Sequence, residues 1–97
     1  ESIGTTNAVV AKKVNKQAGV SIDKIGITLY NSSGSVIKEY TTAPSSDYTS
    51  NTFIYIWFDM NKEVGVALTP GTAYKYVMYV ISNGKTYKSE TFSFTTK

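Results

Sequence analysis

The 97-residue chain contains no cysteine, no histidine and no arginine, so its ten basic residues are all lysine, against seven acidic residues. Without Cys and His it lacks the ligands of a zinc finger, an iron–sulfur cluster or a haem. It also lacks disulfides and both Ser–His–Asp and Cys–His machinery. We therefore expect no cofactor, no catalytic residue and no enzymatic activity.

The net charge of +3 does not by itself indicate a nucleic-acid partner. There is no Arg to contact phosphate or guanine through two hydrogen bonds, and the lysines are spread from Lys12 to Lys97, which is typical of a solvated surface. No apolar run approaches the roughly 18 residues of a membrane span. The chain begins with Glu1 and not with a Met and an apolar leader, so we expect a piece of something longer.

Hydroxyl and aromatic residues dominate what is present: 13 Thr, 11 Ser and 8 Tyr, with aromatic residues at 13%. Thr and Tyr favour strands, whereas Ser, Gly and Asn favour the turns between them. A chain of this size builds one modest core. The composition therefore predicts a single all-β domain over residues 1–97.

Seven extended segments are separated by turn chemistry. The first is a short N-terminal stretch, and the other six cover residues 8–14, 24–30, 36–41, 52–60, 72–82 and 87–95. We expect a hairpin loop at 31–35, a surface loop at 43–51 and a type I′ turn at Asn83-Gly84. Seven short strands in about 100 residues are typical of an antiparallel immunoglobulin-like sandwich. An odd number of antiparallel strands makes the chain enter at one end and leave at the other, as in modules strung in tandem.

One stretch resembles a known family. The sequence Leu-Thr-Pro-Gly-Thr-Ala-Tyr over 68–74, the alternating strand after it, Asn83-Gly84 and the final Phe-Ser-Phe-Thr-Thr resemble the second half of fibronectin type III modules. The similarity is greatest to the divergent modules of secreted and surface bacterial proteins, and residues 7–30 match the rhythm of the family's second and third strands. The resemblance implies a structural corner in which the Tyr74 phenol bonds back to the preceding loop. The corner residues are Leu68, Pro70, Gly71 and Tyr74.

The strongest candidate for a site is aromatic. In 52–60 one phase is wholly apolar and suits the core, which leaves Phe53, Tyr55 and Trp57 on the outer face; we call these three the aromatic row. Rings two residues apart on a strand lie about 7 Å apart, close to the repeat of an extended polymer. The row suits sugar stacking, with Asp59 or Asn61 as hydrogen-bond partners, or a contact with a neighbouring module. The alternative is that the phase is inverted, or that the loop 43–51 and the connector 59–67 cover the strand.

The family's strand phase predicts a second outer face on the opposite sheet. It places Tyr74, Tyr76, Met78 and Val80 inward. The partner or inter-module surface that remains, which we call the second face, consists of Tyr30, Val77, Tyr79, Ile81 and Tyr87. Because the two faces belong to different sheets, they do not form one pocket.

Two further features carry alternatives. Asp59, Asn61 and Glu63 alternate like loose calcium ligands, but they lack the Gly and the ligand count of an EF-hand, so we expect a polar connector and no metal.

Lys12 shares the core phase of Val10 and Val14, where an unpaired ammonium is costly. Either it extends its head to the rim, which we favour, or it forms an isopeptide cross-link.

These observations predict a non-catalytic spacer or docking module of a secreted or cell-surface, multi-domain bacterial protein. Its partners would be neighbouring modules of the same polypeptide. The alternative is a carbohydrate-binding module that uses the aromatic row on a glycan or cell-wall polymer.

Overall fold

The computed structural model describes residues 2–15, 19, 21–44 and 52–97. The strands are β1 (Ser2–Ile3), β2 (Ala8–Asn15), β3 (Lys24–Asn31), β4 (Val36–Thr42), β5 (Phe53–Asp59), β6 (Ala73–Ser82), β7 (Lys85–Lys88) and β8 (Phe92–Thr95). A single π-helical turn, Met60–Val64, follows β5. Most of the predicted surface loop, residues 45–51, lies outside the described residues.

The described strands form two antiparallel sheets. The smaller has the order β1-β2-β5, and the larger has β4-β3-β6 with β7 and β8 placed one after the other along the remaining edge of β6. Eight segments therefore occupy seven strand positions, as the sequence predicts. The two patches that the sequence placed on different sheets are indeed on different sheets, because β5 belongs to the smaller and β6 to the larger.

The predicted strand 87–95 is interrupted, and this corrects the sequence-based assignment. The Ser89 hydroxyl accepts the Met78 N–H at 3.0 Å, in place of a backbone carbonyl, and the Ser89 N–H donates to the Met78 carbonyl at 2.8 Å. A side chain that bonds locally to the backbone competes with a regular ladder. The pairing with β6 therefore stops at Lys88 and resumes at Phe92.

The two hairpin turns form as the local sequence predicts. Asn83 and Gly84 both have positive φ, 56° and 78°, which is the requirement of a type I′ turn. Between β3 and β4, the Asn31 side-chain oxygen accepts the backbone N–H groups of Ser33 and Ser35 at 3.1 and 2.9 Å. Both turns depend on the preferences of a few consecutive residues, which is why sequence alone identifies them. The Asn83 N–H in addition donates to Asp23 Oδ2 at 2.9 Å, a bond to a distant part of the chain.

One core takes side chains from both sheets. Val10 and Phe58 of the smaller sheet and Ile27, Leu29 and Met78 of the larger sheet belong to the same buried cluster. Tyr40 on β4 contacts Phe58 on β5 edge to face, with 5.9 Å between ring centroids. The fold is thus a small all-β antiparallel one, compatible with an immunoglobulin-like sandwich. Within the described ranges, no helix has the length and apolarity needed to cross a membrane.

Candidate functional site

The aromatic row lies on the outer face of β5 and is exposed. Phe53, Tyr55 and Trp57 retain 40%, 61% and 57% of their accessible surface. The alternate residues of the strand, Ile54, Ile56 and Phe58, are buried in the core. The strand phase is therefore the one expected from the sequence, and the only tryptophan of the chain faces outward.

The surroundings of the three rings differ. Their cross-strand partners on β2 are Asn15 for Phe53, Lys13 for Tyr55 and Ala11 for Trp57. The Lys13 ammonium lies 4.6 Å from the centroid of the Phe53 ring, a cation–π contact. Phe53 and Tyr55 meet edge to face, at 5.5 Å and 81°.

This arrangement does not give three coplanar rings. Phe53 is engaged by the Lys13 cation and by the Tyr55 ring, and the planes of these two rings are nearly perpendicular. Trp57 lies opposite Ala11, whose single methyl group crowds the indole least. The part of the row more accessible to a partner is therefore Tyr55 and Trp57, and not Phe53.

The polar residues expected beside the row are engaged within the fold. Asp59 caps the π-helical turn: its Oδ1 accepts the backbone N–H groups of Asn61 and Lys62, both at 3.0 Å. Glu63 Oε1 accepts the Asp59 N–H at 3.1 Å, and the Asn61 side-chain amide donates to the carbonyls of Thr6 and Val66. The Asp59 and Glu63 bonds lie within the connector, and the Asn61 side chain holds it to the N-terminal segment.

The cap also changes the acidity of Asp59. The hydrogen bond from the Lys62 amide is the largest cause lowering the pKa of the Asp59 carboxyl below its ordinary value of 3.8, and bonds from Asn7 and Asn61 add to it. Among the described residues, no three His, Cys, Asp or Glu side chains gather in a way that could hold a metal ion. The three oxygen-bearing side chains of the connector have structural partners instead.

The second face differs from its prediction at two of its five residues. Tyr30, Val77 and Ile81 lie half-buried on the outer side of the larger sheet. Tyr79 is on that side too, but it is only 6% exposed. Tyr87 is opposite Val80, a core residue, so it lies on the inner side of the sheet, and it is nevertheless 56% exposed.

Tyr79 is buried because its neighbour on β3 is a glycine. Gly26 pairs with Tyr79 on one side and with Thr41 on the other. The Tyr79 ring lies across the backbone of Gly26, and its phenol forms a hydrogen bond with the Thr41 hydroxyl. A methyl group added at Gly26 would lie 2.5 Å from Cε2 of the Tyr79 ring. A glycine inside a strand often marks such a close approach, and this was the signal in the sequence.

The corner at the start of β6 contains the bond that the family resemblance implies. The Thr69 backbone N–H donates to the Tyr74 phenol oxygen at 2.8 Å. The Tyr74 ring is buried and stacks on Phe94, with 5.6 Å between centroids and 25° between planes. Leu68 is buried beneath the turn, and Gly71 has φ 62°, a conformation that favours glycine.

Lys12 has the strand phase of the core residues of β2, but its ammonium group does not end in the core; it lies over an aromatic ring of the other sheet. It lies opposite Ile56, is half-buried, and places its ammonium 5.2 Å from the centroid of the Phe92 ring on β8. The aromatic face compensates part of the cost of removing the charge from water. The side chain thus bridges the two sheets through a cation–π contact.

Comparison with known proteins adds no relative: no family model, no curated protein and no solved structure matches this chain.

Proposed function

We propose that the chain is a fibronectin type III-like, non-catalytic module of a secreted or cell-surface bacterial protein, and that it spaces and docks neighbouring modules of the same polypeptide. The observation that carries the docking role is the aromatic row, an exposed apolar strip on a regular strand. Aromatic residues are enriched at protein interfaces, and exposed apolar patches mark interaction sites.

The fold supports the family assignment. The chain passes from the smaller sheet to the larger between β2 and β3, returns between β4 and β5, and passes again between β5 and β6. These crossings, with side chains of both sheets in one core, support a Greek-key sandwich. The bond from Thr69 to Tyr74 supports the resemblance further, because it is the device that the motif implies.

The strand directions support a spacer. The Lys97 N–H donates to the Gly4 carbonyl at 2.9 Å, so β1 and β8 both run toward the same end of the fold. A polypeptide joined upstream along β1 would approach from the opposite end. Modules connected in this way extend in a row.

Trp57 provides the test, because tryptophan emission reports on a single site in this chain. The emission and the acrylamide quenching of the 97-residue chain are compared with those of the longer polypeptide that carries its neighbours, in which any other tryptophans are replaced by Phe. We expect a blue shift and weaker quenching in the longer polypeptide, because docking removes the indole from water. Identical spectra and quenching in both would contradict docking through the aromatic row.

A pair of variants controls this test. Tyr55→Ser removes an apolar ring from the row and should return the emission of the longer polypeptide toward that of the isolated chain. Val36→Ser removes a similarly exposed apolar side chain, 60% accessible, from β4 of the other sheet. It should leave the emission unchanged.

A second candidate function is carbohydrate binding, favoured by the open indole of Trp57 opposite Ala11. Because the Phe53 ring is engaged by Lys13, the geometry suits one or two sugar units on Trp57 and Tyr55 and not three along the row. Sugar rings stack on aromatic faces of this kind. The partner would be a glycan or a cell-wall polymer.

The carbohydrate candidate is tested by titrating cell-wall, plant and mucin-type glycans at millimolar concentration while Trp57 emission is recorded. Binding should change the Trp57 emission of the wild-type chain. Calorimetry should detect no glycan binding by Trp57→Ala, whereas Tyr87→Ala, changed on the other sheet, should bind as the wild type does. No response to any glycan would eliminate this function and leave the docking proposal standing.

A further inference from the structure

The outer side of the larger sheet has a depression where Tyr79 lies flat. Gly26 and Tyr79 pair across β3 and β6, and the Tyr79 ring lies over the Gly26 backbone instead of projecting from the sheet. The outward side chains around this pair surround a pocket of about 270 Å3, with walls from β3, β4, β6 and β7. Neither β1 nor β8 contributes to it.

The middle of the pocket presents hydroxyl groups. The Tyr79 phenol is bonded to the Thr41 hydroxyl on the β4 side, and Thr86 lines the β7 side. Thr28 is only 7% exposed, yet the one hydrogen bond that its hydroxyl makes to a described residue is a long one, 3.5 Å to Glu39 Oε2. Buried polar groups are usually well hydrogen-bonded. The Thr28 hydroxyl therefore has capacity for a further partner in the pocket.

Two charges of opposite sign stand on the two sides of the pocket. Glu39 belongs to β4 and Lys88 to β7, and these strands lie three strand spacings, about 14 Å, apart. Both side chains are exposed, and neither forms an ion pair with a residue that the structure describes. The contact with Thr28 shows that the Glu39 carboxylate extends over β3, toward the middle of the pocket. Each charge is thus available to a ligand between them.

We propose that this pocket binds a small zwitterion of dipeptide size, with the ammonium group of the ligand at Glu39 and its carboxylate at Lys88. An extended dipeptide separates its two charges by about 7 Å, which leaves room for a charged side chain at each end. The hydroxyls of Thr28 and Thr86 bond the peptide unit in the middle, because a hydroxyl both donates and accepts. The two charge-assisted hydrogen bonds at the ends are the strongest polar contacts open to so small a ligand.

The same lining disfavours other small ligands. An anion would meet the Glu39 carboxylate, and a cation would meet the Lys88 ammonium. A sugar would find little aromatic face to stack on, because Tyr79 is only 6% exposed. The pocket lies on the larger sheet and the aromatic row on the smaller one. The proposal is therefore independent of the docking function and of the carbohydrate candidate, and its failure would leave both standing.

The experiment titrates the whole chain with dialanine over the millimolar range while NMR records the amide chemical shifts. We expect saturable shifts at Thr28, Thr41 and Thr86 and none along β5. N-acetyl-dialanine lacks the cation, dialanine amide lacks the anion, and glucose lacks both. Each capped form should bind roughly fivefold more weakly than dialanine, the upper value for an exposed ion pair, and glucose should produce no saturable shift in the pocket.

Variants of the two charged residues test each contact against its own probe. Glu39→Gln should bind dialanine roughly fivefold more weakly and should no longer distinguish it from N-acetyl-dialanine. Lys88→Gln should lose the distinction between dialanine and its amide and keep the other one. Lys75→Gln removes an exposed lysine from the same side of the sheet, outside the pocket, and should bind as the wild type does.

The buried hydroxyl is tested by Thr28→Val, which replaces it with a methyl group. Valine favours strands, so the variant should fold, and a thermal melt verifies this for every variant. Dialanine should bind about fivefold more weakly, the effect of one neutral hydrogen bond. The distinctions between dialanine and its two capped forms should remain, because both charged residues are unchanged.

Four results would overturn the proposal. The first is the absence of saturable shifts in the pocket with dialanine. The second is equal binding of dialanine and its capped forms by the wild-type chain. The third is equal weakening by Lys75→Gln and by the variants of the two charged residues. The fourth is binding of glucose with the same shifts, which would identify a site for neutral polyols.

Discussion

Replacing Tyr74 by phenylalanine removes one atom from the corner at the start of β6. The phenol oxygen that accepts the Thr69 N–H at 2.8 Å is lost, while the buried ring and its stacking on Phe94 remain. The variant therefore isolates the hydrogen bond from the packing. Pro70 and Gly71, which shape the turn, are unchanged.

The size of the effect follows from the two ends of the bond. Tyr74 is buried, but Thr69 is exposed, so its N–H can bond to water when the phenol is gone. The loss should lie near the usual net value of about 1 kcal/mol for a neutral hydrogen bond and not near the upper end of about 3 kcal/mol for an orphaned buried donor. For a domain of this size, that corresponds to a melting temperature lower by about 4–8 °C.

Thermal and urea denaturation of the wild-type chain, Tyr74→Phe and Tyr87→Phe measure this effect. The Tyr87 phenol makes no hydrogen bond to any described residue, so its removal should leave the midpoint within error. Coincident melting curves for Tyr74→Phe and the wild type would refute the prediction that the hydrogen bond from Thr69 to Tyr74 stabilises the fold. Equal losses in the two variants would show that any tyrosine hydroxyl matters to the same degree.

Three further results are expected. Gly26→Ala should cost about 1–3 kcal/mol in urea denaturation, because the new methyl group displaces the Tyr79 ring; an unchanged midpoint would contradict that close approach. Asp59→Asn should be less stable than the wild type at pH 7. Because the hydrogen bond from Lys62 lowers the pKa of Asp59 in the folded state, the difference should shrink as the pH falls below about 4, and a difference independent of pH would argue against the cap. The intact mass should equal that of the sequence, since Lys12 contacts the Phe92 ring; a loss of ammonia or water would instead show a cross-link.

The aromatic row was predictable because a strand alternates its side chains with a period of two. Given a wholly apolar phase through Ile54 and Phe58, the other phase had to face away from the core. The sequence did not reveal which neighbouring side chains contact each ring. Lys13 covers Phe53 because the register of β2 against β5 brings it there, and that register depends on pairing across about forty residues of chain.

The second face shows the limits of the same reasoning. Tyr79 and Tyr87 were both predicted as exposed on one outer face, yet Tyr79 is buried on the outer side and Tyr87 is exposed on the inner side. The alternation in β6 is correct. The difference arises from Gly26 on a neighbouring strand, which makes room for one ring, and from the opposite sheet, whose described strands leave the other ring exposed.

The sequence by itself determined what depends on a few consecutive residues: the all-β class, the type I′ turn at Asn83-Gly84 and the phase of each long strand. These follow from local φ preferences, from short hydrogen bonds and from the two-residue period. The bond in the corner around Tyr74 was implied by the resemblance to fibronectin type III modules. Tertiary structure alone decided which strands distant in the chain became neighbours, where the strand after Lys88 broke, and how far each sheet covered the other. Burial and free edges depend on those choices, since a side chain is hidden or exposed by residues far away in the chain.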